Sequence, residues 1–254
     1  KFYNLKFSEI DKINKENIKG IIFDLGYSLN QILDLNRGLS FKSRGKLDMR
    51  MGLNEFSCED VITKMSQQNL FKIFKYFGDE KHAKPISKKI VKLRENKKIE
   101  TQDLVEIIES VKTNKTGKNN STKIFQALRI FVNKEISELI NGLINAYNIL
   151  PIGGVMVVVT FHSIEDKIVK FFFKEYSEIK NTSRYLPKNI TTKKYFNLIK
   201  KKPIIPSYDE IKINPPSRSA KLRFAYKIEN GCEFKNFLKN YKYLKDIENL
   251  DFDA

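Results

Sequence analysis

The sequence predicts an α/β protein. Two short apolar runs, IKGIIFDL (18–25) and VMVVVTF (155–161), each close on polar residues, and a long stretch with helical periodicity separates them. Apolar strands without polar alternation suit a parallel sheet covered on both faces, and parallel strands need a crossover that usually carries helix.

The first strand ends at Asp24-Leu25-Gly26, a turn signal. Far more chain follows than one crossover requires, and residues 47–117 read as a helical insertion. Ser57 with Asp60 opens a helix to about Phe77, and Thr101 precedes an amphipathic stripe of Leu104, Val105, Ile107, Ile108 and Val111. TNKTGKNNS (113–121) reads as the returning linker. One long helix is expected from about 122 to 149, with Phe125, Leu128, Val132, Leu139 and Leu143 on its buried side. Gly153-Gly154 lead into the second strand, after which Ser163 with Asp166 signals a helix start. Beyond Tyr176, Pro187, Pro203, Pro206, Pro215 and Pro216 interrupt any regular element, so about 180–217 reads as a long loop. KLRFAYKI (221–228) alternates as a closing strand, and 233–251 reads as a surface helix. The expected division is a sheet domain in two parts, 1–46 and 118–230, with inserted helices at 47–117 and a C-terminal tail at 231–254.

Charge narrows the partners. Lys and Arg number 47 against 30 Asp and Glu, a formal +17, and such a field favours polyanions, of which nucleic acid is the commonest for a soluble chain. Anionic membrane surface is the weaker competitor. The longest apolar stretch falls far short of the ~20 residues a membrane span needs, and no basic-then-apolar leader is visible, which points to a cytosol-like compartment or an organellar matrix. Cys58 and Cys232 form neither a disulfide framework nor a metal quartet, and with His82 and His162 the only histidines, no metal is expected. No glycine-rich turn follows a strand into a helix, so phosphate-loop hydrolysis is not expected. The first residue is Lys1, and the opening segment reads as the continuation of a longer chain. Oligomeric state is not legible.

In open α/β sheets ligands bind beyond the carboxyl ends of the strands. That rule selects Asp24-Leu25-Gly26 with Gln31, and Phe161-His162-Ser163-Ile164-Glu165-Asp166. Structural readings stand beside the chemical ones: Asp24 as a cap or turn former, His162 as a hydrogen-bonded structural residue, Ser163 and Asp166 as a capping box. Lys193-Lys194-Tyr195-Phe196, Lys200-Lys201-Lys202 and the Arg218, Lys221, Arg223 series interleave cations with aromatic or small residues, a pattern suited to phosphate contacts and base stacking. A solvated lysine-rich surface is the plain alternative.

Seven blocks in order, FDLGYSLNQ (23–31), RGLSF (37–41), LDMRM (47–51), YFGDEKHA (76–83), TKIFQALRIFVNKEI (122–136), GGVMVVVTFHSIEDKIVK (153–170) and NPPSRSAKLR (214–223), carry a resemblance. The chain resembles the RsmH (MraW) methyltransferases. That resemblance implies a class I, Rossmann-like methyltransferase sheet with an inserted helical domain. It also implies transfer of a methyl group from S-adenosylmethionine to the N4 amino group of a cytidine in the decoding region of small-subunit ribosomal RNA. By motif match, Phe7, Asp24 and Gln31 fall where the family contacts the methyl donor. The family's usual opening strand, Gly-Gly-His-Ser loop and acidic ribose ligand have no counterpart here. Tyr27-Ser28-Leu29 replaces Val-Ser-Ser, Asn119-Asn120 replaces His-Pro, and Gly52 replaces Asp. For the implied reaction, Asp24 is the candidate that orients the cytosine amine, and His162 is expected to accept the released proton, since an ordinary histidine pKa near ~6.5 suits that task. Tyr27 is the candidate for stacking on the base. Lys200, Lys201, Arg218, Lys221 and Arg223 are expected to hold phosphates, with Arg50 and Lys123 of the insertion closing the other side. The rival from another class is a non-catalytic RNA-binding or ribosome-assembly protein without the cofactor lobe.

Overall fold

The computed structural model describes residues 1–14, 16–52, 54–112, 120–178 and 193–252. In chain order the elements are β1 (Gly20–Asp24), α1 (Leu29–Leu33), α2 (Cys58–Lys64), α3 (Gln67–Gly78), α4 (Ala83–Arg94), α5 (Thr101–Val111), α6 (Thr122–Asn133), α7 (Glu135–Ile149), β2 (Val155–Thr160), α8 (Ser163–Ser177), β3 (Phe196–Asn197), α9 (Tyr208–Ile213), β4 (Lys221–Lys227) and α10 (Lys235–Glu248). The chain divides into two compact units: a sheet unit of Lys1–Gly26 and Glu138–Tyr241, and a helical unit of Tyr27–Ser137 and Lys242–Ala254. The helical unit takes in more chain than 47–117.

In the sheet unit the strand order is β1-β2-β4-β3. β1 and β2 pair in parallel, as their apolar runs require, in a register from Gly20↔Val155 to Asp24↔Val159. β4 returns antiparallel along β2 from Val155↔Tyr226 to Thr160↔Lys221. Gly153, at φ +84°, supplies the left-handed turn before β2, and a Cβ on Gly154 would stand 2.7 Å from the Leu150 side chain and 3.0 Å from the Pro151 carbonyl, so a larger residue there would force Leu150 to shift. One expectation changes here. β1 alternates, with Ile21 and Phe23 buried and Ile22 73% exposed, so among the described residues it is covered on one face only.

The core of this unit is aromatic. Phe172 of α8 meets Phe196 at 5.6 Å, Phe234 at 5.6 Å and Phe237 at 5.0 Å between ring centroids. Each such ring contributes roughly 2–3 kcal/mol of burial, and the edge-to-face pairs add to it. Lys227 is buried in β4, where Nζ donates to the carbonyls of Tyr147 (2.8 Å) and Leu150 (2.7 Å) and lies 4.3 Å from the Tyr147 ring. A cation thus satisfies the otherwise open carbonyls at the end of α7. The loop expected at 180–217 is partly regular: 179–192 lie outside the described residues, but β3, α9 and a 3-10 turn at Pro215–Ser219 follow. The Ser207 hydroxyl accepts the Glu210 N–H and starts α9 despite the flanking prolines.

In the helical unit, two expected helices are each broken in two. The first stops at Lys64 because Arg94 donates to the carbonyls of Ile62 (2.9 Å) and Met65 (2.6 Å), and Ser66 then caps a new helix by accepting the Asn69 N–H. The long helix of 122–149 breaks at Lys134, whose φ is +50°. There Asn133 donates to the Met49 carbonyl (2.9 Å) and accepts the Met51 N–H (2.8 Å), fixing a segment in which Met49 itself has φ +59°. Gly78 lets α3 approach α6, since a Cβ would meet the Lys123 carbonyl at 2.6 Å. The linker expected at 113–121 lies mostly outside the described residues, but Lys112 and Asn120 on its flanks exchange hydrogen bonds of 2.8 and 3.1 Å. The buried carboxylate of Glu248 accepts the N–H groups of Ile136 (2.7 Å) and Ser137 (2.8 Å) and the Ser137 hydroxyl (2.6 Å). Among the described residues, no helix is long and apolar enough to cross a membrane.

Candidate active site at the carboxyl rim of the sheet

Because β1 and β2 run parallel, their carboxyl ends lie at one rim of the sheet. Leu25 extends the pairing by donating its N–H to the Val159 carbonyl at 3.1 Å. Gly26, at φ +98°, then turns the chain, and a Cβ there would stand 3.8 Å from the Phe161 ring. Asp24 is exposed at this rim and takes no hydrogen bond or ion pair among the described residues. It is therefore not the cap its composition allowed, since the Ser28 hydroxyl accepts the Gln31 N–H and starts α1 instead.

Across the rim, the β2–α8 loop is tied by one buried side chain. Glu165 accepts the N–H groups of Phe161 (3.0 Å) and His162 (3.3 Å) on Oε2. His162 Nδ1 accepts the Glu165 N–H at 3.4 Å, and Nε2 lies 3.1 Å from Glu165 Oε1. The capping box is thus His162 with Glu165, one residue earlier than the expected Ser163 with Asp166. A second correction follows for His162. Its side chain is 7% exposed and both ring nitrogens face Glu165, so the ring is placed as a helix cap and not as an open proton acceptor.

Asp166, freed from capping, accepts Arg223 Nε at 2.8 Å and Lys221 Nζ at 3.1 Å. Burial raises its pKa, but the bonds from Arg223 and Lys221 outweigh that and hold the carboxyl below its ordinary value. Arg223 also donates Nη1 to the Lys201 carbonyl at 3.1 Å, and its side chain is 8% exposed. The expectation that Arg223 holds phosphate is corrected: its guanidinium is enclosed as a buried ion pair. Lys221 is half-exposed beside the same carboxylate. Lys200 and Arg218 are exposed, and Lys201 is exposed with a surface pair to Glu178 at 3.2 Å.

Phe7 sits in a 3-10 turn, Phe7–Lys12, edge-on to Phe23 at 5.8 Å and 65°. A Cβ on Gly142 would meet its ring at 2.8 Å, so α7 presses the ring against the end of β1. Strand alternation directs Phe23 and Asp24 to opposite faces, which sets Phe7 and Asp24 on opposite sides of β1. The other predicted residues belong to the helical unit. Gln31 closes the α1 capping box, its Oε1 accepting the Ser28 N–H at 2.9 Å. The Tyr27 ring lies 4.5 Å from the Arg129 guanidinium, which pairs through two bonds with Glu135 at 2.7 and 2.9 Å. Arg50 is clamped by Asp48 at 2.7 and 2.9 Å, and Lys123 donates to the Asp79 carbonyl at 2.7 Å. Both cations expected to contact RNA from the insertion thus carry a local partner while their side chains stay 39% and 47% exposed.

The MraW methylase family matches residues 1–228. The chain belongs to that family. It is 38% identical over 251 residues to the ribosomal RNA small subunit methyltransferase H of Bartonella quintana, covering 98% of this chain and 73% of that protein. With the protein of the same name from Sinorhizobium fredii it shares 42% identity over 222 residues, 86% of this chain and 65% of that one. With that of Xanthobacter autotrophicus it shares 40% over 228 residues, 87% and 66%. The chain spans about two thirds to three quarters of the length of these relatives. Membership accounts for the α/β sheet as that of a class I methyltransferase and implies a methyl donor.

Three structural residues escaped sequence reasoning. Glu165 had a signal, since it stands three after His162 as a capping partner does, but histidine is an uncommon N-cap. Asn133 and Arg94 had none, because their partners lie 84 and 32 residues away in sequence.

Proposed function

We propose that this protein transfers a methyl group from S-adenosylmethionine to the N4 amino group of a cytidine in the decoding region of small-subunit ribosomal RNA. Family membership, the relatives' identity as ribosomal RNA small subunit methyltransferases and the formal +17 charge support that reading. The observation that carries it to a residue is Asp24: an exposed carboxylate at a strand end, beside the β2–α8 loop, with no structural partner among the described residues.

The chemistry of Asp24 fits the donor, since an unbonded carboxylate suits its ammonium group; Phe7, on the other side of β1, keeps a donor contact only as the motif match implies. Gln31 keeps the donor assignment that the motif match implies. When bound, the donor supplies an electrophilic sulfonium methyl. The amine it meets is a weak nucleophile because its lone pair is delocalised into the ring, so orientation carries much of the acceleration. Asp24 accepts an N–H of that amine, localises the lone pair and favours the positive charge that develops on nitrogen; as the methyl–nitrogen bond forms and the methyl–sulfur bond breaks, the proton lost from nitrogen passes to the Asp24 carboxylate or through it to water. His162 and Glu165 act as positioning residues that hold Phe161 and the start of α8 at the rim. Tyr27 keeps the stacking role, one ring face being backed by Arg129. Lys200, Lys201, Arg218 and Lys221 contact phosphates, with exposed Arg50 and Lys123 as further candidates, whereas enclosed Arg223 supports the fold.

The test is product identification. The purified protein, incubated with small-subunit ribosomal RNA and donor labelled on its methyl group, should yield N4-methylcytidine on nucleoside digestion and mass spectrometry. Label on another position would replace the proposed acceptor. RNA binding with no transfer under any condition would favour the non-catalytic reading.

A further inference from the structure

The helical unit carries a groove that the proposed reaction leaves unused. It has a volume of about 480 Å³, within the range of ligand sites, and is lined by residues of α3, the first turn of α4 and Tyr243. Its walls are aromatic: Phe71, Tyr76 and Tyr243, the two tyrosines meeting edge to face at 4.9 Å and 81°. Lys72 and Lys84 stand in the lining, and Lys75 Nζ lies 5.4 Å from the Phe71 ring centroid and 5.3 Å from that of Tyr76. Gln67 and Gln68 add amide donors and acceptors.

Charge and exposure single this groove out. α3 and α4 together hold seven Lys or Arg and no Asp or Glu. Of the two acids between these helices, Glu80 is buried against Lys112 at 2.7 Å, and Asp79 is exposed with Lys123 3.9 Å away. α3 buries Leu70, Ile73, Phe74 and Phe77, so its apolar stripe is complete without Phe71 or Tyr76. Tyr243 is 50% exposed. An open aromatic surface ringed by cations and amides has the composition that stacks bases and neutralises the adjoining phosphates.

We propose that this groove binds a single-stranded segment of RNA, with a base against Phe71, Tyr76 and Tyr243 and its flanking phosphates on Lys72, Lys75 and Lys84. The site lies apart in sequence from every residue assigned to the transfer. It rests on the reading of RNA as the substrate, and it adds a hold on unpaired RNA outside the acceptor base.

The experiment measures fluorescence anisotropy of a labelled single-stranded oligoribonucleotide of about 12 nucleotides, within the span such grooves cover, against the full chain and two variants whose circular dichroism matches the parent. Tyr243→Ala should weaken binding about 5- to 150-fold, the loss of one base stack. The double variant Lys72→Gln, Lys75→Gln should reduce the slope of log affinity against log salt by about 1.4. Unchanged affinity and slope in folded variants, while the parent binds RNA and transfers methyl groups, would remove the groove and leave the transferase reading intact. A parent that binds no RNA would overturn both. Loss of duplex binding alone, or of an acidic peptide alone, would also overturn the single-strand assignment.

Discussion

Asp166 and Glu248 are two buried carboxylates with opposite consequences. Asp166 sits between Arg223 and Lys221, which hold its pKa below the ordinary value. Its contribution to stability is therefore present above the unfolded pKa and lost as pH falls through the folded one. Asp166→Ala would leave Arg223 enclosed without its partner, and chemical denaturation should register a loss of about 3–5 kcal/mol. Glu248 behaves the other way. Burial pushes it up to about 7, and the bonds from Ser137 and Ile136 only partly oppose that. The native state then binds the extra proton, so the group's contribution is complete below the unfolded pKa, near ~4.3, and disappears as pH rises through about 7. Melting temperatures followed from pH 4 to 8 should show this downward component in the parent, and Glu248→Gln should remove it. A variant with the same pH slope as the parent would exclude Glu248 as its source.

Single contacts decide where elements stop. The run from Ser57 to Phe77 has helical periodicity throughout, yet Arg94 binds the carbonyls that would have continued α2. Replacing Arg94 by Met leaves those carbonyls without a donor and should cost about 1–3 kcal/mol in denaturant unfolding. At the start of α8, a ring nitrogen of His162 takes the place of the usual hydroxyl or carboxylate oxygen. His162→Asn should keep the cap and most of the stability, whereas His162→Ala should lose about 1 kcal/mol. If His162 only positions the rim, the Asn variant also retains methyl transfer and its pH profile. A rate loss in Asn equal to that in Ala would restore the ring as a proton acceptor. These elements mark what was legible. β1, β2 and β4 were readable because apolar runs and alternation are local properties. The breaks at Met65 and Lys134 depend on contacts with distant sequence, Arg94 in one case and Met49 in the other, so no local window contained them, whereas the caps at Ser207 and His162 are local contacts obscured by the flanking prolines and by the rarity of histidine as an N-cap.

At the scale of the whole molecule, the surplus of positive charge was legible in the composition, but which cations are free was not. Alternation at the start of β4 offered Arg218, Lys221 and Arg223 as one series, and the structure divides them: Arg218 is exposed, Lys221 is half-exposed beside Asp166, and Arg223 is enclosed. Neutralising Lys200 and Arg218 together with Gln should lower the salt slope of RNA binding by about 1.4 at unchanged stability, whereas Arg223→Gln should lower stability first. Asp24 was legible as a strand-end acid but not as an unbonded one, because that depends on Ser28 capping α1 in its place.

The most direct test of the account compares the parent with Asp24→Asn, which keeps the shape and removes the charge, in steady-state methyl transfer to small-subunit ribosomal RNA alongside equilibrium RNA binding. A fall in rate of about 10²–10³-fold is expected, with RNA affinity within about twofold of the parent, less than 1 kcal/mol. A full rate in Asp24→Asn, or a rate loss matched by an equal loss of RNA affinity, would contradict it.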